Sequence, residues 1–203
     1  MSGAAGGARD GTGPVAAAAD HDRLLLAAVA AGEERGLREL VERHGSGLLA
    51  YLTGLVGDPP LAEEVLQDTL LAVWRGAAGF VGGSTVRTWL FAVARRRAVD
   101  ALRRRGTAAA TDDEPLAGWA DPAAGPERQL LARADLDRVA EAIGRLRPAH
   151  REVLALACVH ELSGQEISAV LGVPVGTVKS RLRLARAALG RLLEPTEDGD
   201  GDG

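Results

Sequence analysis

The sequence contains few of the residues on which catalytic and extracellular proteins depend. Its 203 residues include one cysteine, Cys158, so the chain cannot form an internal disulfide bond. The four histidines do not lie at metal-ligand spacings. No glycine-rich phosphate loop, nucleophile elbow or helical His-Glu-x-x-His motif is present. These absences predict a non-enzymatic protein without a cofactor or metal, in a reducing, cytoplasmic setting.

Long apolar runs and aromatic residues are also scarce. No apolar run approaches the ~20 residues that span a bilayer, and the N-terminus lacks the order of charged and apolar regions found in a signal peptide. Aromatic residues make up 3% of the chain, whereas alanine and leucine dominate, which favours helices over sheets. Cys158 lies in the apolar run 153–159 and is expected to be a small core residue. We therefore expect a soluble all-α protein.

The charge is segregated along the chain, although the formal net charge is only −4. Changes in composition along the chain predict two small helical domains joined by a flexible acidic linker. The C-terminal domain is predicted to contain a helix-turn-helix. The predicted segments are a disordered N-terminal segment at 1–19, a first domain at 20–106, the linker at 107–128, a second domain at 129–194 and an acidic tail at 195–203.

The helix-turn-helix is predicted from residues 162–181. Ser163 and Glu166 have the spacing of a capping box at a helix start. Gly172 follows the last apolar residue of this helix, where a left-handed residue is favoured, and Pro174 suits the opening of a second helix. This arrangement places a second helix in the major groove of DNA.

The second of these helices has two chemically different faces. At about 100° per residue, its apolar positions fall within an arc of roughly 60°. Those positions are Val178, Leu182, Ala185 and Leu189. Lys179, Ser180 and Arg183 lie opposite, with Arg181 and Arg186 at the flanks. An ordinary solvated basic face is the simpler interpretation of a lone helix, but the capped turn before it favours DNA binding.

The helix predicted at 61–75 has a charged face about 140° wide with a leucine near its middle. This face comprises Glu63, Glu64, Gln67, Asp68 and Leu71, with Arg75 at its end. On composition alone the face fits plain solvent exposure. The alternative is a docking surface, in which an apolar anchor is surrounded by charge.

A loop of small and polar residues at 79–85 precedes a third informative helix at 86–105. This helix has seven arginines against one aspartate, with Trp89 and Phe91 among them. Cations attract phosphates and flat rings stack on unpaired bases, so the pattern is typical of binding to an opened DNA strand. We expect at least one of the two rings to belong to the core.

Three blocks of the sequence are AEEVLQDT at 62–69 with Trp74, TWLFAVAR at 88–95 with Asp100, and VPVGTVKSR at 173–181 with Ala185 and Arg186. These blocks resemble the extracytoplasmic-function group of the sigma-70 family of bacterial RNA polymerase sigma factors. They occur in the order and spacing of that family and cover about residues 22–105 and 130–193.

The resemblance implies a role for each part. The first domain would be sigma region 2, which binds core RNA polymerase and the melted minus-10 element, and the second would be region 4, which binds minus-35. The acidic linker would pass through the polymerase channel that RNA later occupies. Implied partners are the clamp of the largest polymerase subunit, the flap of the second largest, promoter DNA and, where one exists, an anti-sigma factor.

The resemblance assigns these roles to residues on the elements described above. The minus-35 set is Thr177, Lys179, Ser180, Arg181, Arg183 and Arg186. The minus-10 set is Phe80, Ser84, Arg87, Trp89, Arg95, Arg96 and Arg103. The polymerase-binding set is Glu63, Glu64, Gln67, Asp68 and Leu71.

Two other classes of protein remain as alternatives. A transcriptional regulator could bind a duplex operator through the same helix-turn-helix, but it leaves the arginine-rich helix and the acidic linker without a role. A nucleic-acid-modifying enzyme would need a set of catalytic residues, and the sequence shows none of the catalytic motifs considered above. A sigma factor directs core polymerase to a promoter, whereas a regulator binds its operator unaided.

Overall fold

The structure, a computed structural model, describes residues 14–106 and 138–194, and the regular structure in both ranges is helical. The predicted all-α class is confirmed. The first range contains α1 (Pro14–Ala30), α2 (Glu34–Val56), α3 (Pro59–Gly76), a 3₁₀ turn (Ala77–Gly79) and α4 (Val86–Arg104). In the second range, residues 138–144 are helical. They are followed by α5 (Pro148–Leu154), a π-helical turn (Ala155–Val159), α6 (Gly164–Leu171) and α7 (Val175–Leu193).

Helix α1 begins at Pro14, within the segment 1–19 that was predicted to be disordered. Proline suits a first helical position, and the alanines at 16–19 have the highest helix propensity, so no apolar stripe is needed to start the helix there. The rest of the predicted N-terminal segment, the whole predicted linker and the acidic tail lie outside the described residues.

Helix α1 packs closely on α2 because residue 36 is glycine. A Cβ atom at Gly36 would lie 2.6 Å from the carbonyl oxygen of Leu25, too close for any other residue. The Asp22 carboxylate also accepts hydrogen bonds from Arg43 Nε at 2.7 Å and lies 2.8 Å from His44 Nε2. These contacts hold α1 against α2.

Helix α2 is continuous through Gly45 and Gly47. Each glycine costs about 1 kcal/mol relative to alanine. Leu48, Tyr51 and Leu52 in the following turns are at most 1% exposed, and burying such side chains contributes about 1.5–3 kcal/mol each. Tertiary packing therefore outweighs local propensity, and the helix ends where Gly57 adopts a left-handed conformation.

The two predicted helical domains pack against each other through α4. The Phe91 ring lies 5.3 Å from the Tyr51 ring of α2 and 4.8 Å from the His160 ring beyond α5, measured between ring centroids. Phe91 is 2% exposed, which makes it a core residue, while Trp89 is half-buried. The arginine-rich helix is therefore central to the fold and lies at the boundary between the domains.

The expectation that Cys158 is a core residue is wrong, because its side chain is exposed. Residues 155–159 form a π-helical turn, closed by a hydrogen bond from the His160 amide to the Ala155 carbonyl at 3.1 Å. A π turn has more residues than an α turn, so the side chains that follow it shift around the helix axis. Cys158 and Val159 consequently face outward, and His160 occupies the buried position.

Within the described ranges, no helix combines the length and the apolarity required to cross a bilayer. The same residues contain no group of three histidine, cysteine, aspartate or glutamate side chains placed to hold a metal ion.

Candidate nucleic-acid and partner interfaces

The start of α6 has the predicted capping box. The Ser163 hydroxyl accepts from the Glu166 amide at 3.3 Å, and the Glu166 carboxylate accepts from the Ser163 amide at 2.9 Å. Burial opposes ionisation of Glu166. The hydrogen bonds from Ser163, from Thr88 of α4 and from Thr85, the N-cap of α4, outweigh burial and lower the pKa of the carboxyl group. Gly172 ends α6 in a left-handed conformation with φ of 68°, and Pro174 is the N-cap of α7.

Helix α7 has the two faces that the angular count predicted. Val178 and Ala185 are fully buried, and Leu182 and Leu189 are half-buried. On the opposite side, Lys179, Ser180, Arg183 and Arg186 are exposed, with Thr177 and Arg181 partly covered. None of the ion pairs among the described residues involves a cation of this set.

The surroundings of α7 are electropositive as well. Burial, followed by the charges of Arg147 and Arg181, lowers the pKa of His150. Arg147 and Arg181 therefore lie near His150 and add positive charge beside α7. The exposed side of α7 is therefore a rigid cationic surface that can contact both phosphates and base edges.

The loop before α4 places an aromatic pair beside the arginine-rich helix. The Phe80 ring lies 5.5 Å from the Trp89 ring, and both residues are partly exposed. Val81 is 96% exposed, and the Ser84 hydroxyl donates to the Thr85 carbonyl at 3.2 Å. Half-buried rings next to a small exposed loop can stack on an unpaired base.

The arginines of α4 do not all face the same surroundings. Arg96 and Arg103 are exposed. Arg87 instead donates through Nη2 to the His160 carbonyl at 2.6 Å, and Arg95 donates through Nε to Glu152 at 2.8 Å. Of the predicted minus-10 set, Arg87 and Arg95 therefore contact the second domain and are only partly exposed. No local sequence pattern indicates these contacts, because their partners are far along the chain.

The charged face of α3 is positioned as predicted, with Glu63, Glu64, Gln67 and Leu71 exposed and Asp68 partly covered. Two basic residues at the end of α4 also reach it, which the sequence analysis missed. Arg104 lies 3.7 Å from Asp68, and Arg105 lies 3.9 Å from Glu64. Exposed ion pairs of this kind contribute about 0–1 kcal/mol and leave the face available to a partner.

Leu71 lies at the edge of an open groove of about 750 Å³ between α2 and α3. The side chain of Leu71 is 52% exposed. The groove is lined by Glu34, Leu37, Arg38, Val41, Gln67, Leu70, Leu71 and Trp74. The contribution of α2 was not predicted, although the spacing of Leu37 and Val41 at i and i+4 could have suggested it.

A second open groove, of about 320 Å³, lies between the start of α5 and the C-terminal half of α7. Its apolar lining includes Leu184, Ala188 and Leu192, and Arg145, Arg147 and Arg191 surround it. Leu184 is 45% exposed. The groove is suited to an apolar helix with an acidic edge.

Acid should destabilise the fold through His160. Burial, and then the charge of Arg87, lowers the pKa of His160 from 6.5 to about 4. This pKa is lower in the folded state than in the unfolded state. The stability that neutral His160 contributes is therefore complete above pH 6.5 and is lost as the pH falls towards 4. The free energy of unfolding should decrease by about 2 kcal/mol between pH ~6.5 and ~5. Urea unfolding at several pH values measures this decrease in the wild type and in His160→Gln, which lacks the titrating group. Equal slopes of the free energy of unfolding against pH in the two proteins would contradict the prediction.

Comparisons with known proteins agree with this architecture. The family model Sigma-70 region 2 matches residues 40–107, and the model Sigma-70, region 4 matches residues 136–189. The RNA polymerase sigma factor CnrH of Cupriavidus metallidurans is 37% identical over 183 residues, which cover 86% of this chain and 95% of CnrH. The ECF RNA polymerase sigma factor SigL of Mycobacterium tuberculosis is 34% identical, over 83% of this chain and 95% of SigL.

Solved structures give the same result. CnrH in complex with the cytosolic domain of CnrY superposes with a TM-score of 0.63 and 31% identity, over 86% of this chain and 97% of CnrH. The sigma factor RpoE in complex with the anti-sigma factor NepR, from Bartonella quintana, gives a TM-score of 0.62 and 27% identity, over 78% of this chain and 97% of RpoE. With both regions matched in order and nearly the full length of these relatives covered, the chain belongs to the extracytoplasmic-function group of sigma-70 RNA polymerase sigma factors.

Proposed function

We propose that this sigma factor recognises the minus-35 element through the exposed cationic side of α7. The observation that carries this proposal is the division of α7 into a buried apolar stripe and an exposed face that includes Lys179, Ser180 and Arg183. The planar fork of Arg183 suits a guanine edge. Arg186 lies one turn further along the helix and suits a phosphate, with Thr177 and Arg181 at the flanks.

A transcription assay tests the function as a whole. The purified chain, added to core RNA polymerase and a promoter template, should yield a defined run-off transcript that core polymerase alone does not give. A protein that shifts duplex DNA in a gel but yields no transcript with core polymerase would be a regulator instead.

The minus-10 strand is assigned to the loop and the exposed part of α4. Phe80 and Trp89 provide flat rings, Ser84 provides a hydroxyl at the loop, and Arg96 and Arg103 provide cations in solvent. Arg87 and Arg95 complete the set once their contacts with the second domain are released.

Core polymerase is proposed to dock on α3 and the groove beside it. Leu71 would be the central anchor, since it is half-exposed at the groove edge and surrounded by Glu63, Glu64, Gln67 and Asp68. An apolar side chain ringed by polar groups is a common form of interface hot spot. A clamp segment with basic residues around an apolar contact would complement this surface.

Replacing Leu71 with aspartate should weaken core-polymerase binding by about 1–3 kcal/mol and leave the fold intact. The expected cause is the loss of an apolar anchor and the burial of a new charge. Fluorescence anisotropy with labelled sigma factor and core polymerase measures the change. Leu24→Asp is a matched control, because Leu24 is 70% exposed on α1 away from the groove. If Leu71→Asp and Leu24→Asp both bind core polymerase as tightly as the wild type does, Leu71 is not part of the interface.

The groove between α5 and α7 is the proposed site for the flap of the second-largest polymerase subunit. Its exposed Leu184 and surrounding arginines would accept an apolar helix with acidic residues at its edge. CnrH and RpoE have been solved with the partners CnrY and NepR. We infer that an anti-sigma factor can likewise bind this chain, that the chain acts in the cytoplasm, where polymerase works, and that it catalyses no reaction itself.

A further inference from the structure

A polar recess of about 360 Å³ lies between α3 and α4, next to the proposed polymerase-docking face. It is lined by Asp68, Leu71, Ala72, Arg75, Gly76 and Arg97. Ala72 and Gly76 have a short side chain or none, which leaves room between the two helices for an incoming group. Arg75 and Arg97 are both exposed. The recess therefore presents two guanidinium groups beside the apolar side chain of Leu71.

The two arginines of the recess have no anionic partner within the residues that the structure describes. None of the ion pairs in the ranges 14–106 and 138–194 involves Arg75 or Arg97. Asp68, which also lines the recess, lies 3.7 Å from Arg104 instead. Two like charges that share a recess repel each other, and an anion placed between them is attracted by both. The recess therefore has the chemistry of an anion site.

The position of the recess favours a carboxylate of a protein partner over a DNA phosphate. Arg75 follows Leu71 by four residues on α3, so the two side chains lie on the same face of the helix. A partner that covers Leu71 also removes water from Arg75 and Arg97. A charged group that loses its water without gaining a counter-charge strongly opposes binding. The segment that covers Leu71 therefore has to bring a negative charge to the recess.

The docking face of α3 consequently changes sign along the helix. Glu63 and Glu64 lie in the N-terminal part of α3, and Arg75 lies in its last turn. The rise from Glu64 to Arg75 is roughly 16 Å, or about three helical turns. A complementary partner therefore presents cations at one end of the contact and a carboxylate at the other.

We propose that the recess between α3 and α4 binds a carboxylate side chain of core RNA polymerase between Arg75 and Arg97. This inference rests on the proposed docking of polymerase on α3. The planar guanidinium of Arg75 donates to both carboxylate oxygens, and Arg97 adds a second positive charge from α4. The recess thus selects a partner whose docking segment has a negative charge beside its apolar contact.

The test compares the affinities of full-length variants for core polymerase by fluorescence anisotropy. Arg75→Gln and Arg97→Gln should each weaken binding by about tenfold, because each removes a charge-assisted hydrogen bond. Arg75→Lys keeps the charge but not the planar fork, so it should lose less affinity than Arg75→Gln. The direction of the change is decisive. If polymerase presents only cations to this face, removing an arginine relieves repulsion and strengthens binding.

Arg23→Gln is the matched control, because Arg23 is an exposed arginine of α1 that does not line the recess. It should bind polymerase as the wild type does. Unchanged or tighter binding of both Arg75→Gln and Arg97→Gln would overturn the proposal. So would normal polymerase binding combined with impaired promoter opening, which would place a DNA phosphate in the recess.

Leu71→Asp separates failure of the recess from failure of the proposed docking. If Leu71→Asp weakens binding and the two arginine variants do not, polymerase docks on α3 without using the recess. If Leu71→Asp, Arg75→Gln and Arg97→Gln all bind as the wild type does, the docking face itself is wrong. Circular dichroism should be the same for all variants, since neither arginine has an ion pair to lose among the described residues.

Discussion

Arg183→Ala should flatten promoter specificity at one or two adjacent minus-35 positions, with a loss of about 1–3 kcal/mol of discrimination there. Arg183 is exposed on the side of α7 opposite the buried Val178 and Ala185, so its guanidinium can reach a base edge in the major groove. The measurement is a scan of every minus-35 base, in which transcription with core polymerase is compared for the wild type and the variant.

Arg186→Ala provides the contrast on the same helix. Arg186 is also exposed but is assigned to a phosphate, so its removal should weaken all promoter variants alike. It should also reduce the slope of log affinity against log salt by about one unit. If Arg183→Ala instead lowers every promoter by the same factor, the helix is rotated in the groove, and Arg181 or Lys179 contacts the bases.

Arg96→Ala should impair formation of the open complex more than binding to closed promoter DNA. Arg96 is exposed on α4, and loss of a charge-assisted hydrogen bond to the opened strand should cost about 1.5–3 kcal/mol. Permanganate modification of unpaired thymines reports opening, and a gel shift at low temperature reports closed binding.

Arg23→Ala is the control for Arg96, because Arg23 is an exposed arginine on α1 that belongs to none of the DNA-binding or polymerase-binding sets. It should leave opening unaffected. Arg95→Ala is a less direct test, since it removes a strand contact and also breaks the ion pair with Glu152. Equal losses in opening and closed binding for Arg96→Ala would mean that α4 supplies only general attraction to phosphate.

Features specified by neighbouring residues were predictable from the sequence. The capping box of Ser163 and Glu166, the left-handed Gly172 and the two faces of α7 each depend on a few residues within one or two helical turns. The same holds for the exposure of Leu71 on α3. Local hydrogen bonds and helical periodicity determine these features, so their positions follow from spacing.

Features that depend on distant partners were not predictable. Glu152 meets Tyr51 and Arg95 across separations of 101 and 57 residues, and no periodicity in α5 marks it as a contact. Likewise, the π-helical turn at 155–159 follows no simple sequence rule, and it reversed the expected burial of Cys158. The α2 side of the groove depends on how helices pack, which their individual patterns do not specify.

The position of Glu166 has a kinetic consequence. Its carboxylate contacts Ser163 at the start of α6 and Thr88 in the first turn of α4. Thr85 independently accepts from the Thr88 amide at 3.1 Å, so each helix retains a cap of its own when the two separate. Separation then breaks contacts between domains without unwinding a helix. We therefore expect opening on the microsecond-to-millisecond scale of rigid-body motion, faster than unfolding and fast enough not to limit assembly with polymerase.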